Sequence, residues 1–259
     1  KLVKPFVLRR LKRDVLPFLP AITEVRHDVR LTAEEALRYG VLRKQIHEKL
    51  YTVHGRRFNK IEVLAEITRL RRFCCHPSLV FPDAPPEFSK VEAFLDLVEE
   101  LRENEHRALV FSQFVDFLSI VRERLDELGI EYEYLDGSTP QGERQARVAA
   151  FQNGKASLFL ISLKAGGFGL NLTAADYVVH LDPWWNPAVE AQATDRAHRI
   201  GQERPVTVYR LITRETIEDG IVELHRKKRR IAESLLSGGD AAASLSAEEL
   251  LGLIETGER

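Results

Sequence analysis

The sequence predicts an α/β fold: a parallel β-sheet flanked by helices on both faces, with an N-terminal helical subdomain. Three observations carry this. From residue 89 onward, short apolar runs alternate with amphipathic helical patterns, the signature of strands joined by right-handed crossovers. Runs such as Leu109-Val110-Phe111 and Phe159-Leu160-Ile161 lack polar alternation, as strands covered on both faces do. Before residue 89, two long helical patterns follow one another with no strand between them.

The elements follow in order. Residues 1–31 read as a linker and a first strand. Pro5, Pro17 and Pro20 break helix, and Glu24–Leu31 reads as extended. Thr32 opens a helix as N-cap, with Glu35 completing a capping box, and that helix runs to about Tyr51. A second helix, Phe58–Cys75, places Ile61, Leu64, Ala65, Thr68 and Phe73 at helical spacing. The proline-rich segment Pro77–Pro86 closes this 32–86 subdomain as a linker. Ser89 is expected to cap the next helix, whose Phe94, Leu95, Val98 and Leu101 form one stripe. The predicted strands are Ala108–Phe111, Tyr132–Leu135, Leu158–Ser162, Tyr177–Leu181 and Val206–Ile212. The helices between them are Val115–Leu128, Pro140–Phe151 and Pro187–Ile200. This lobe covers 87–214. A last amphipathic helix, Ile217–Leu236, and a tail with a short helix at Glu248–Ile254 make up 215–259.

Composition sets limits. The chain has 259 residues, 44% of them apolar, enough for a real core. Lys plus Arg total 38 against 39 Asp plus Glu, a net charge of −1. A uniformly basic nucleic-acid coat is excluded, and any such binding is a local patch. Cationic runs at Arg9–Arg13, Arg69–Arg72 and Arg226–Arg230 are, taken singly, solvated faces. Cys74 and Cys75 are adjacent and form no disulfide framework, which points to a reducing, intracellular compartment. With His76 they have the wrong spacing for tetrahedral zinc, so no metal site is expected. No apolar run reaches membrane-spanning length. Met is absent even at position 1, so the chain is expected to be a piece of a longer protein.

The chemistry concentrates at predicted strand ends, where open α/β sheets bind ligands. Three such segments are Phe111-Ser112-Gln113, Asp136-Gly137-Ser138-Thr139 followed by Arg144, and Ser162 to Asn171 with Lys164, Gly166, Gly167 and Gly169. Glycines admit close approach of backbone N–H groups to an anion. Each segment alone reads as an ordinary turn or strand-end polar group, but their succession does not. After the last comes a helix with Asn186 as N-cap, Pro187 at its first position and Gly201 past its end. On it Gln192, Arg196 and Arg199 are spaced four and three apart and share a face, suited to phosphate oxygens. No Gly-x-x-x-x-Gly-Lys-Ser/Thr occurs, so the β- and γ-phosphates of a nucleotide and its Mg²⁺ have no cradle, and a nucleotide site is at most half present.

These motifs together resemble the second RecA-like lobe of the Swi/Snf family of DNA-dependent ATPases, within helicase superfamily two, over nearly the whole chain. Phe6–Val15 with Leu19-Pro20 resembles the lead into this lobe, and Leu70–Pro77 the end of its helical protrusion. Leu109–Gln113 resembles motif IV, Asp136–Thr139 the DGST segment, and Ser162–Asn171 motif V. Asp182–Pro187 resembles the tryptophan motif, Gln192–Gln202 motif VI, and the helix with Lys227, Lys228 and Arg229 the brace. The doubled tryptophan and lack of large insertions resemble the prokaryotic branch.

The resemblance implies specific roles. Arg196 and Arg199 would be arginine fingers, Gln192 would position them or the nucleotide, and Gly167 and Gly169 would lie near the cleft. Ser112, Gln113, Lys164, Ser138, Thr139 and Arg144 would meet one DNA strand's backbone, and Trp185 would approach the groove. Trp184 is expected in the core. Asp195 lies four residues before Arg199 and offers it an alternative surface salt bridge, and His198 is given no catalytic role. ATP and Mg²⁺ would be held mainly by a preceding lobe, leaving this fragment inactive alone. Double-stranded DNA, that lobe and DNA-bound protein complexes are the implied partners, in a nucleoid or a nucleus. Two alternatives stay open: a lobe of a strand-separating DNA or RNA helicase, and a non-catalytic DNA-binding module.

Overall fold

A computed structural model describes residues 18–52, 60–165, 170–224, 226 and 252–254. The lead-in Phe6–Val15, the glycines 166, 167 and 169, and the basic run Lys227–Arg229 lie outside the described residues. The order of elements is β1 (Ile22–Val29), α1 (Ala33–Thr52), α2 (Lys60–Cys75), a 3₁₀ turn (Pro77–Leu79), α3 (Ser89–Glu103), β2 (Ala108–Ser112), α4 (Val115–Glu127) and β3 (Tyr132–Leu135). Then come α5 (Gln141–Gln152), β4 (Leu158–Ser162), β5 (Tyr177–His180), α6 (Pro187–Thr194) and β6 (Val206–Thr213). A helix α7 follows, described over 217–224.

The six strands form one sheet in the order β1-β6-β5-β2-β4-β3, and every pairing is parallel. Successive strand residues point to opposite faces, and both faces are filled. Val110, Leu160, Val179 and Leu211 pack under Phe94 and Val98 of α3 and Phe117 and Val121 of α4. Leu109, Phe111, Phe159, Ile161 and Val178 face Phe151 of α5 and Ala193 of α6. Hence β2 and β4 are buried along their whole length, which is why their sequences carry no polar alternation.

The first strand is displaced two residues from its expected span and is an edge of this same sheet, paired with β6 from Ile22↔Val206 to Val29↔Thr213. Its polar face is held by ion pairs, Arg210 to Glu24 at 3.1 Å and Arg214 to Asp28 at 3.2 Å.

A third core lies between α1, α2 and α7. There Leu42, Ile46, Ile67, Leu70 and Phe73 pack on Phe88, Ile217 and Ile221. The capping box forms as expected, the Thr32 N–H donating to Glu35 at 2.7 Å and the Glu35 N–H to the Thr32 hydroxyl at 3.3 Å. The expected cap at Ser89 does not form. Phe88 is the N-cap, without a side-chain bond, and the Ser89 N–H donates to Glu35 at 2.9 Å. Glu35 thus fixes the starts of both α1 and α3. The Pro77–Pro86 segment is anchored, because His76 meets Ser78 and the Pro86 carbonyl at 2.7 and 3.0 Å.

Candidate nucleotide and nucleic-acid interface

The parallel order puts four loop starts side by side. Leu135 pairs with Ile161, Ser162 with Ser112, and Phe111 with His180. The loops leaving β3, β4, β2 and β5 therefore rise in a row from the carboxyl edge, the edge where such sheets bind ligands. The Leu163 N–H donates to the Ser112 carbonyl at 2.8 Å and the Leu181 N–H to that of Phe111 at 2.9 Å, locking the row. This rim brings together Ser112, Gln113, Lys164, Ser138 and Thr139. Lys164 and Ser138 are exposed, Gln113 is half-buried, and Ser112 and Thr139 are buried.

Asp136 builds the turn after β3. Its Oδ1 accepts from Ser138 N at 2.9 Å, Ser138 Oγ at 2.6 Å, and Thr139 N and Oγ1 at 3.2 Å each. The Tyr134 hydroxyl donates to its Oδ2 at 2.8 Å. Burial pushes this carboxyl up, but the donors outweigh it and hold its pKa at about 2. Arg144 donates to the Thr139 and Asp136 carbonyls at 2.8 and 3.0 Å. Its half-buried guanidinium thus clamps this turn.

At the next strand ends Asp182 is the organiser. It is 1% exposed, its Oδ1 accepts the Ser112 hydroxyl, and the Gln113 N–H donates to the same atom at 3.2 Å. Burial pushes its carboxyl up, partly offset by Arg71, whose Nη2 lies 3.7 Å away. Ser112 therefore turns its hydroxyl inward. The Trp184 N–H donates to buried Glu190 at 2.8 Å, and Glu190 also takes Arg210 at 2.9 Å. Trp184 packs partly buried on the sheet core, as expected, and Trp185 packs partly buried on the helical core. The Arg71 guanidinium lies 5.8 Å from one indole and 5.1 Å from the other. Trp185 is thus clamped between layers here.

The arginine segment differs from the expected long helix. Asn186 caps α6 by accepting the Ala188 N–H at 3.0 Å, with Pro187 at the first position. The helix stops at Thr194. The carbonyls that a continuing helix would use are taken from outside: that of Arg196 by Leu172 N at 3.0 Å, and that of Ala197 by the Gln202 carboxamide at 3.1 Å. Gln202 also donates to the Ala175 carbonyl at 2.7 Å. The three candidates consequently do not share a helix face. Gln192 and Arg199 are exposed, and Arg196 is buried. The Arg196 Nε has no hydrogen-bond partner among the described residues. Burial lowers its pKa, neighbouring Arg199 lowers it further, and Asp195 partly offsets both. A desolvated guanidinium beside a second one fits phosphate oxygens. His198 meets the Pro20 carbonyl at 2.7 Å, tying this segment to the start of β1. Gly201 adopts φ 100°, a left-handed conformation that favours glycine, but it lies in the turns beyond α6 and does not cap that helix as expected.

The burial of Arg71, Glu190 and Gln202 escaped sequence reasoning. Arg71 and Gln202 fall inside recognised motifs, but nothing local shows which partners will enclose them.

Among the described residues no group of three His, Cys, Asp or Glu is placed to hold a metal ion, and no helix is long and apolar enough to cross a membrane.

Residues 89–201 match the family described as helicase conserved C-terminal domain, and residues 1–79 the SNF2-related domain. The chain is 37% identical over 258 residues to the putative ATP-dependent helicase/translocase YwqA of Bacillus subtilis, covering 96% of this chain and 28% of that protein. It is 36% identical over 274 residues to human SWI/SNF-related matrix-associated actin-dependent regulator of chromatin subfamily A member 1, covering 98% and 26%. The Sulfolobus solfataricus SWI2/SNF2 ATPase core in complex with dsDNA matches with a TM-score of 0.74 at 33% identity, covering 98% of this chain and 55% of that one. The C-terminal domain of that ATPase matches with a TM-score of 0.71 at 29% identity, covering 91% and 99%. The chain thus spans 28% or less of the length of these curated relatives.

Proposed function

This chain belongs to the Swi/Snf family of ATPases, as its RecA-like helicase C-terminal lobe preceded by a segment that matches the SNF2-related domain, and on that premise we propose that it is the second motor lobe of an ATP-dependent double-stranded DNA translocase. The observation that carries this reading is the row of four adjacent strand ends, which gathers Ser112, Gln113, Lys164, Ser138 and Thr139 on one rim. Exposed Lys164 offers an ammonium to phosphate oxygens of one strand, beside Gln113, Ser138 and Thr139 on the same rim. Arg144, which also holds the Asp136–Thr139 turn, adds a charged contact to that strand, and Trp185, seated on the helical layer, approaches the groove.

ATP bound on the preceding lobe, with its Mg²⁺, supplies the phosphoryl group to be transferred. Arg196 and Arg199 are the arginine fingers. Their positive charges oppose charge that develops on the transferred phosphoryl oxygens. Gln192, exposed on the last turns of α6, orients the nucleotide or the fingers. The chain alone holds only this half of the site and is inactive. Closure of the lobes on ATP and reopening after hydrolysis would move the rim along the duplex, whether bare or within a DNA–protein complex in a nucleoid or nucleus.

The test uses the two-lobed parent protein. Arg196→Ala and Arg199→Ala should each lower DNA-stimulated kcat by about 10³- to 10⁵-fold while duplex binding persists. Displacement of a third strand from a triplex, with the duplex left intact, would separate translocation from strand separation. ATP hydrolysis by the 259-residue chain itself, stimulated by DNA and abolished by Arg199→Ala, would refute the reading.

A further inference from the structure

The carboxyl edge of the sheet does not end at the rim. Strands β6 and β1 continue it, two and three places beyond β2, or about 10–14 Å at the usual strand spacing. Their last residues pair, Val29 with Thr213, and the Arg214 N–H donates to the Val29 carbonyl at 2.8 Å. Arg30 and Arg214, the next residue on each strand, are therefore held side by side, and both are exposed.

Helix α1 faces them across a recess of about 270 Å³ that both arginines line. From α1 come Tyr39 and Arg43, four residues apart and so on one face, with Gly40 between them. A Cβ at Gly40 would meet nothing within 4 Å, so the helix wall is set back there. Tyr39 is buried and fixed in place, its hydroxyl accepting the Ile217 N–H at 2.8 Å. The lining thus carries three guanidiniums, of Arg30, Arg43 and Arg214, against one carboxylate, Glu215. The acids around it are engaged. Asp28 takes Arg214 at 3.2 Å and also Arg26, while Asp219 takes Arg26 and the Glu215 N–H. The Arg214–Asp28 pair is partly exposed and of small net worth. The Arg30 side chain makes no ion pair or hydrogen bond with any described residue. Like charges gathered at one recess repel each other, and an anion between them relieves that cost.

The chemistry of the lining selects the ligand. Guanidiniums present planar forks that match phosphate oxygens. The recess is smaller than the about 300–1,000 Å³ of sites that enclose a whole small ligand, so it takes a group and not a cofactor. We infer that this recess binds a phosphate group, carried on a free phosphate ester or on a nucleic-acid backbone. It is built from residues other than the Arg196–Arg199 pair, and it stands independently of the motor reading above. Bound there, the group ties the ends of β1 and β6 to α1.

Thermal melts of the 259-residue chain test it, with inorganic phosphate titrated against chloride at constant ionic strength. The Tm should rise saturably, since an ion that binds only the fold stabilises it by mass action, whereas general salt exclusion does not saturate. Arg30→Gln, at an exposed side chain, should weaken the apparent affinity about 10- to 100-fold, the loss of a charge-assisted contact. Gly40→Leu keeps every charge and fills the recess, so it should abolish saturation. Arg199→Ala should leave the shift in place. Anisotropy with a short fluorescent duplex then identifies the source. Weaker duplex binding by Arg30→Gln, with a salt slope lower by about one, assigns the phosphate to DNA. Duplex affinity equal to that of the unsubstituted chain assigns it to a free ester. The inference is overturned if no saturable shift occurs, or if the shift survives both Arg30→Gln and Gly40→Leu, including one that Arg199→Ala removes.

Discussion

Lys90 and Glu218 form the most enclosed ion pair among the described residues, and the cost of breaking it can be worked from its geometry. Both side chains are 0% exposed, and the ammonium donates to each carboxylate oxygen at 2.6 Å. Burial opposes the charge on Lys90, but Glu218 outweighs it and holds the ammonium above its ordinary pKa. The pair joins α3, which lies on the sheet, to the first turn of α7, which packs in the helical core. Removing one partner of such a pair typically costs ~3–5 kcal/mol, because the other charge is left desolvated. Lys90→Met should therefore lose ~3–5 kcal/mol, a large share of a domain stability of ~5–15 kcal/mol. Glu218→Ala should lose ~1–3 kcal/mol more, because Glu218 also accepts the Thr213 N–H at 2.8 Å. The combination Lys90→Met with Glu218→Gln keeps that acceptor and buries no charge, so it should lie within ~1–2 kcal/mol of the unsubstituted chain. Urea unfolding followed by far-ultraviolet circular dichroism measures all of these. A loss below about 1 kcal/mol for Lys90→Met, or a double substitution costing the sum of its singles, would refute the reasoning.

Three further outcomes are expected. Burial drives His180 down from 6.5 to about 4, so its neutral form is favoured in the fold; stability is full above pH 6.5 and falls toward pH 4 by up to ~1.4 kcal/mol per pH unit, and His180→Leu should flatten that part of the urea-midpoint profile. Gly201→Ala adds a Cβ that meets Thr173 no closer than 3.9 Å, so its cost is the φ of 100° alone, ~1–3 kcal/mol in a melt; an unchanged Tm would contradict this. Cys74 and Cys75 are fully buried, and burial pushes both thiols up, so a thiol reagent at neutral pH should label them only at the rate of unfolding; fast native labelling would show that the α2 core opens locally.

Much of this architecture was legible because its determinants are local. Short apolar runs, unbroken in β2 and β4 as burial on both faces demands, placed β2 to β6 within one residue of their ends. The capping box at Thr32 and Glu35 needs only a four-residue window. What escaped depends on distant partners. The edge strand Ile22–Val29 is polar on its outer face, and only its pairing with β6 shows that it belongs to the sheet. The helix bearing Gln192 looked longer because nothing in that segment shows that Leu172 and Gln202 will take its carbonyls. The candidate site followed the same division. Motif spacing set the rim residues at strand ends that the sheet brings side by side, whereas the burial of Ser112, the grip of Arg144 on its turn and the packing of Trp185 arise from Asp182, the Asp136 turn and Arg71.

The helical core has an order of assembly written into it. Tyr39, Leu42, Ile67 and Phe73 come from the first third of the chain, but the apolar partners that close over them include Ile217, Ile221, Leu253 and Ile254, and the Tyr39 hydroxyl accepts the Ile217 N–H at 2.8 Å. During synthesis α1 and α2 emerge early and wait for the whole sheet to be made before their core can be completed. Closing so long a loop is slow, and the waiting helices expose an apolar stripe meanwhile. The helical layer is therefore the last part of the fold to be completed, and a chain cut before residue 217 leaves it open to aggregation.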